Sequence, residues 1–185
     1  MKRLKIVKDE VVYDGAFIKT IRRNFIDLKG GKRVWEMIER KTHGRIVAIV
    51  AITPKNEVIL EKTFRMPWKS YIIELPAGLM DRRGESEISL AQRELLEETG
   101  YSTKHLRKLF SGPYNAGLST DEMAVYLGTD ARYVQKPNRE SAEDITVIKV
   151  PLKKLFRFLN TTKIGKVDLK ISAIIPYLQK LGLLV

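Results

Sequence analysis

Residues 45–53, RIVAIVAIT, form a near-continuous apolar run whose length and β-branched content suit a strand buried on both faces. A strand of that kind needs other layers on either side of it, and the flanking sequence supplies them. Ahead of it, residues 11–26 are rich in β-branched and aromatic side chains, Gly30-Gly31 makes a hairpin turn, and residues 33–40 alternate apolar and charged. A β-meander is the simplest outcome. Behind it, Pro54-Lys55-Asn56 turns the chain into a strand at 58–64, and a further strand at 71–75 ends at Pro76-Ala77-Gly78.

From Ser86 the period becomes helical. Ile88, Ala91 and Leu95 recur at steps of three and four, Ser86 can cap the start, and Gly100 stops the run. Strands are then expected at 106–111, 123–127 and 145–150, and helices at 152–159 and 169–181, the latter with a kink at Pro176. Strands first, a helix embedded among them and helices last give an α+β layered domain. The strands of residues 1–42 read as an N-terminal extension to a main domain at 43–185.

A chain of 185 residues holds one well-cored domain. No apolar run reaches eighteen residues, and the start, Met1-Lys2-Arg3-Leu4-Lys5, leads into charged sequence, so no membrane partner and a cytoplasmic location are expected. Cysteine is absent, which excludes disulfides and thiolate chemistry. The net charge of +12 would suit an anion-binding surface, but the basic residues are scattered along the chain as on a solvated exterior. Nucleic acid is therefore not expected as a partner.

The segment that carries chemistry is residues 78–101, GLMDRRGESEISLAQRELLEETGY. On a helix Glu94, Glu97 and Glu98 stand three and four apart and project from one side. Two carboxylates about 4 Å apart at an effective dielectric near 20 repel by on the order of 4 kcal/mol, so a fixed, partly buried cluster requires counter-charge. Such oxygen-rich clusters suit hard divalent cations. An isolated Glu-Glu pair is more often a solvated helix face, but here Arg93 can brace Glu97, and the Pro-Ala-Gly turn brings backbone to the helix start.

Residues 93–101, RELLEETGY, preceded by Glu85 with seven residues between it and Arg93, resemble the Nudix box. The family pattern is Gly, five residues, Glu, seven residues, Arg-Glu-U-x-Glu-Glu-x-Gly-U, with U a bulky apolar residue. Six residues, not five, separate Gly78 from Glu85, and the extra one is assigned to the Asp81-Arg82-Arg83 turn, where a surface insertion is cheap. The resemblance implies a Nudix-type α/β/α sandwich with a mixed sheet and an N-terminal antiparallel strand extension.

The chemistry the resemblance implies is hydrolysis of a nucleoside diphosphate linked to another group. Glu94, Glu97, Glu98 and the carbonyl of Ala77 would hold Mg²⁺ or Mn²⁺, a water activated there would attack phosphorus, and Arg93 and Glu85 would orient the metal-binding carboxylates. Glu97 thus counts both as metal ligand and as part of the catalytic set. The general base in the ADP-ribose branch often comes from a loop after the box, here residues 139–145, RESAEDI, with Glu143 the first choice and Glu140 the second.

Residues 74–78, ELPAG, resemble a segment common in ADP-ribose and nucleotide-sugar pyrophosphatases, and Phe64-Arg65 resembles the branch element whose arginine contacts the substrate diphosphate. Arg65 and Glu74 therefore receive substrate-binding roles. Residues 111–119, SGPYNAGLS, resemble the proline-bearing loop after the box, so Pro113 and Tyr114 are assigned to substrate as well. Because that proline comes about three residues early, GDP-mannose or UDP-glucose stays open beside ADP-ribose. Such enzymes are typically homodimers through their N-terminal strands, from which Trp35, Tyr13 or Phe17 could reach adenine. Two rivals remain: a Nudix-like sensor that binds ADP-ribose without cleaving it, and a pyrophosphohydrolase acting on RNA 5′ ends.

Overall fold

The computed structural model describes residues 2–42 and 45–184. Its first three strands, β1 (Lys5–Asp14), β2 (Ile18–Ile26) and β3 (Lys32–Arg40), form an antiparallel meander in the order β1-β2-β3. The first strand starts earlier than the sequence suggested, and residues 11–26 split at a turn that Gly15 closes by donating to the Ile18 carbonyl at 2.9 Å. Charges obscured that strand: Asp9 pairs across to Arg23 at 2.7 Å, so polar residues lie opposite matching ones on β2.

The chain continues through β4 (Arg45–Ile52), β5 (Glu57–Arg65), β6 (Ser70–Glu74), β7 (Ala77–Leu79), α1 (Glu87–Thr99), β8 (Tyr101–Ser102) and β9 (His105–Pro113). It ends with β10 (Glu122–Thr129), β11 (Arg132–Tyr133), β12 (Ile145–Pro151), α2 (Leu155–Thr161), β13 (Lys166–Val167) and α3 (Leu169–Lys180). The larger sheet runs β13-β6-β5-β4-β10-β9, with β12 on β5 and β7 on β4; β13 is parallel to β6 and β12 antiparallel to β5, so the sheet is mixed. This is the α+β sandwich expected.

The apolar run became β4, and residues 47–51 are fully buried, as a strand covered on both faces must be. Helix α1 packs Leu90, Ala91 and Leu95 into the core, whereas Ile88, expected on the same face, is 47% exposed. At the first turn the buried stripe therefore takes Leu90 in place of Ile88. The helix expected from 152 opens as a tight 3₁₀ turn at Leu152–Lys154 before α2 begins. In α3, which keeps Pro176 inside it, Ile171, Ile174 and Leu178 are fully buried.

Two compact units are present, one made of Met1–Ile46, Leu79–Arg83 and Gly112–Met123, the other of Val47–Gly78, Gly84–Ser111 and Ala124–Val185. In the first, the loop after β9 docks on β3: Ile38 donates to the Leu118 carbonyl at 2.8 Å, and Arg40 pairs with buried Asp121 at 3.1 Å. Among the described residues no helix is long and apolar enough to cross a membrane.

Candidate functional site

Helix α1 is delimited by local chemistry. Ser86 Oγ accepts the Ser89 N–H at 3.1 Å, and Gly100, at φ +77°, closes the other end by donating to the Leu96 carbonyl at 2.9 Å. With Leu90, Ala91 and Leu95 turned into the core, the carboxylates fall along the edge of the buried stripe. Their side chains are graded, from Glu97 at 35% exposed to Glu94 at 13%, and Glu98 is a buried residue.

Arg93 ties this edge together. Its Nε and one terminal nitrogen donate to the two oxygens of Glu85 at 2.8 and 3.0 Å, while the other terminal nitrogen lies 2.8 Å from Glu94 and 3.0 Å from Glu97. Those partners, Glu85 first among them, hold the guanidinium well above its ordinary pKa, so it is a permanent cation. Glu85 keeps its place in spite of the extra residue, with Gly84 absorbing a positive φ of 81° just before it.

The strand side presses backbone against the same carboxylates. Ala77 donates its N–H to Glu98 Oε2 at 3.0 Å, and Gly78 lies directly on the Glu94 side chain. Behind Glu98 is Glu61 of β5, 2% exposed, whose carboxyl group hydrogen-bonds that of Glu98 and whose Oε1 has no partner. Desolvation pushes both carboxyl groups well above the ordinary range, and each is raised further by neighbouring carboxylates, Glu98 by Glu61 and Glu94, Glu61 by Glu74.

Next along the sheet, Arg65 and Glu74 form a two-pronged pair, Nε and NH2 to Oε1 and Oε2, both at 2.8 Å. Glu74 is 6% exposed while the Arg65 side chain is about half exposed, so the acid anchors the guanidinium and leaves part of it accessible. The register that pairs β5 with β6 places Glu61 opposite Glu74.

The loop before β12 is fastened to the far end of α1. Arg139 donates to the carbonyls of Glu98 and Ile145, both at 2.7 Å, and Asn138 donates to the Glu97 carbonyl at 2.9 Å, satisfying two of the helix's free terminal carbonyls. Within the loop the Glu143 carboxylate accepts the Glu140 N–H at 2.9 Å. Glu143 is half-buried and its charge reaches Glu98, whereas Glu140 is exposed.

The second unit thus brings together Ala77, Glu85, Arg93, Glu94, Glu97, Glu98, Arg65, Glu74 and Glu143. Pro113 and Tyr114 belong to the first unit, where Tyr114 is 44% exposed and donates its N–H to the Asp121 carbonyl at 2.8 Å. There Trp35 donates to the Gly117 carbonyl at 3.1 Å and lines a cavity of about 290 Å³ with Arg23, Phe25 and Met37. Tyr13 and Phe17 are 60% and 83% exposed. Two members of the site, Glu61 and Arg139, escaped the sequence reading. The one signal for Glu61 was a carboxylate directly after the apolar run Val58-Ile59-Leu60.

The donor set fits a divalent cation. Hard oxygen ligands cluster on one helix edge, a carboxyl oxygen of Glu61 is buried without a partner, and burial, with Glu61 and Glu94 nearby, pushes the Glu98 carboxyl up. In this arrangement Glu94 and Glu97 are turned to Arg93, and no three acidic side chains among the described residues stand in metal-ligand geometry.

A family model for the NUDIX domain matches residues 42–169. An ADP-ribose pyrophosphatase of Bacillus subtilis (strain 168) is 30% identical over 177 residues, spanning 95% of this chain and 92% of that protein. An ADP-sugar pyrophosphatase of Mus musculus is 33% identical over 159 residues, spanning 79% of this chain and 72% of its own. A crystal structure of an ADP compounds hydrolase superimposes with a TM-score of 0.83 over 100% of this chain and 98% of that one at 21% identity, which is a likeness of fold.

Proposed function

The chain belongs to the Nudix hydrolase family, in its ADP-ribose and nucleotide-sugar pyrophosphatase branch, and from that premise we propose that it hydrolyses ADP-ribose, or a related nucleoside diphosphate sugar, with Mg²⁺ or Mn²⁺. ADP-ribose would give AMP and ribose 5-phosphate. The observation that carries the reading is the acid cluster on α1, where the Arg93 guanidinium is shared among Glu85, Glu94 and Glu97, with the buried Glu98 and Glu61 behind them. Such a cluster of hard oxygen donors suits a divalent cation.

Glu94, Glu97, Glu98 and the Ala77 carbonyl are the groups to hold the cation, and Arg93 with Glu85 fixes the carboxylates that do so. Once bound, divalent cations neutralise the diphosphate and make water a stronger acid. Arg65 presents its accessible edge to the substrate diphosphate, and Glu74 holds that fork in position. Glu143 takes the proton of the attacking water, with Glu140 the lesser candidate because it is exposed and serves Glu143 only through its backbone. Pro113 and Tyr114 bear on the base or sugar, and the cavity beside Trp35 favours that residue over Tyr13 and Phe17 for stacking.

Residues 1–42 serve as the element through which two copies associate into a homodimer. Support comes from the apolar side chains that β1 and the next turn expose, among them Ile6, Val11, Tyr13 and Phe17. A sensor that only binds is disfavoured because Arg93, Glu94, Glu97 and Glu98 are all in place. Incubation of the protein and Mg²⁺ with ADP-ribose, GDP-mannose, UDP-glucose and a triphosphorylated RNA, followed by product identification, tests the reading. The expected result is AMP and a sugar phosphate from ADP-ribose; recovery of every compound intact would overturn it.

A further inference from the structure

Glu61 lies behind the helix carboxylates and has no place among the cation ligands named so far. Its neighbours in the sheet offer it no cation, since register sets Glu74 beside it on β6 and Val147 on β12. It is 2% exposed, its carboxyl group meets that of Glu98, and Oε1 has no partner. Of the surrounding charges, Arg139 and Arg65 attract it and Glu74 repels it. Among the described residues neither guanidinium hydrogen-bonds to it: Arg65 donates to Glu74, and Arg139 to the carbonyls of Glu98 and Ile145. A buried carboxyl oxygen left without a partner is unfavourable, and valine or leucine would fill a strand position of this kind at no such cost.

We infer that Glu61 is a further carboxylate of the divalent-cation site: β5 adds its negative charge and its free Oε1 to the set formed by Glu94, Glu97 and Glu98. The inference rests on the cation site proposed above. Glu61 meets that set through Glu98, whose carboxyl group it contacts, and its unpartnered Oε1 is the oxygen it has to offer. A purely structural role would need only the hydrogen bond to Glu98, which a glutamine amide can also make. Charge is what distinguishes the two.

The test is cation binding by the full-length, metal-stripped protein, followed with Mn²⁺ by electron paramagnetic resonance and with Mg²⁺ by calorimetry. Glu61→Gln keeps the shape and the hydrogen bond and is expected to weaken binding by roughly 10- to 100-fold. Its melting temperature in chelator should equal or exceed that of the parent, because a buried acid has been removed. Glu61→Val serves as a second variant with the same expectation for binding, and Glu97→Gln as the control for the helix. An affinity within about twofold of the parent for Glu61→Gln, with Glu97→Gln weakened, would overturn the inference alone and leave the helix site standing. If neither substitution changes the affinity, the helix site fails and the inference with it.

Discussion

A β-carbon on Gly78 would fall 2.0 Å from Cδ of Glu94, so the glycine is the space in which that carboxylate lies. Gly78→Ala should therefore push Glu94 aside without touching the core, because the clash is with the end of a flexible side chain. Turnover is expected to fall by about 100-fold or more while the circular dichroism spectrum is retained. Normal turnover in this variant would show that Glu94 need not occupy that position.

The Arg65–Glu74 pair predicts a split between binding and chemistry. Arg65→Ala removes a diphosphate contact and strands a buried acid, so KM should rise on the order of tenfold with a smaller change in kcat. Since the arginine side chain is about half exposed, the stability lost in urea unfolding should be modest, about 1 kcal/mol. Arg65→Lys keeps the charge but not the fork and should fall between the parent and alanine.

Glu143 and Glu140 are separated by environment. Glu143→Gln retains an oxygen to accept the Glu140 N–H, so the loop should keep its form while kcat falls by roughly 100- to 10,000-fold. Glu140→Gln should be close to the parent. Steady-state kinetics of the two variants side by side decide it, and the reverse ranking would move the proton acceptor to Glu140.

Burial raises Glu61 and Glu98 above the ordinary value of 4.5. Above that pH the unfolded chain has lost protons that the folded metal-free protein still holds, so metal-free stability should fall as pH rises. A cation replaces those protons, and its stabilising effect should grow with pH. Thermal melts with and without Mg²⁺ should show a larger gain at about pH 8 than at about pH 5.5. Equal gains would remove the buried carboxyl pair from the cation's surroundings.

The helix could be read from the sequence because its signals are local: Ser86, Gly100 and the spacing of Glu94, Glu97 and Glu98 all act within one element. Strand β4 was legible for the same reason, its burial being written in its composition. What escaped depends on contacts between distant residues. Glu61 becomes meaningful only when β5 lies beside α1, and Arg65 finds Glu74 only when its side chain reaches back along the neighbouring strand β6. Arg139 looks like one more surface cation until the loop before β12 folds back on the helix end. Strand β1 was hidden by charges whose partners lie on β2.

The central claim is that the α1 carboxylates hold divalent cations that drive cleavage of a diphosphate. Its most direct test is phosphorus NMR of ADP-ribose with metal-stripped protein, before and after Mg²⁺ is added, for the parent and for Glu97→Gln. The account predicts AMP and ribose 5-phosphate only after Mg²⁺ is added, and a rate lower by orders of magnitude in the variant. Cleavage that continues in chelator, or that proceeds undiminished in Glu97→Gln, would contradict it.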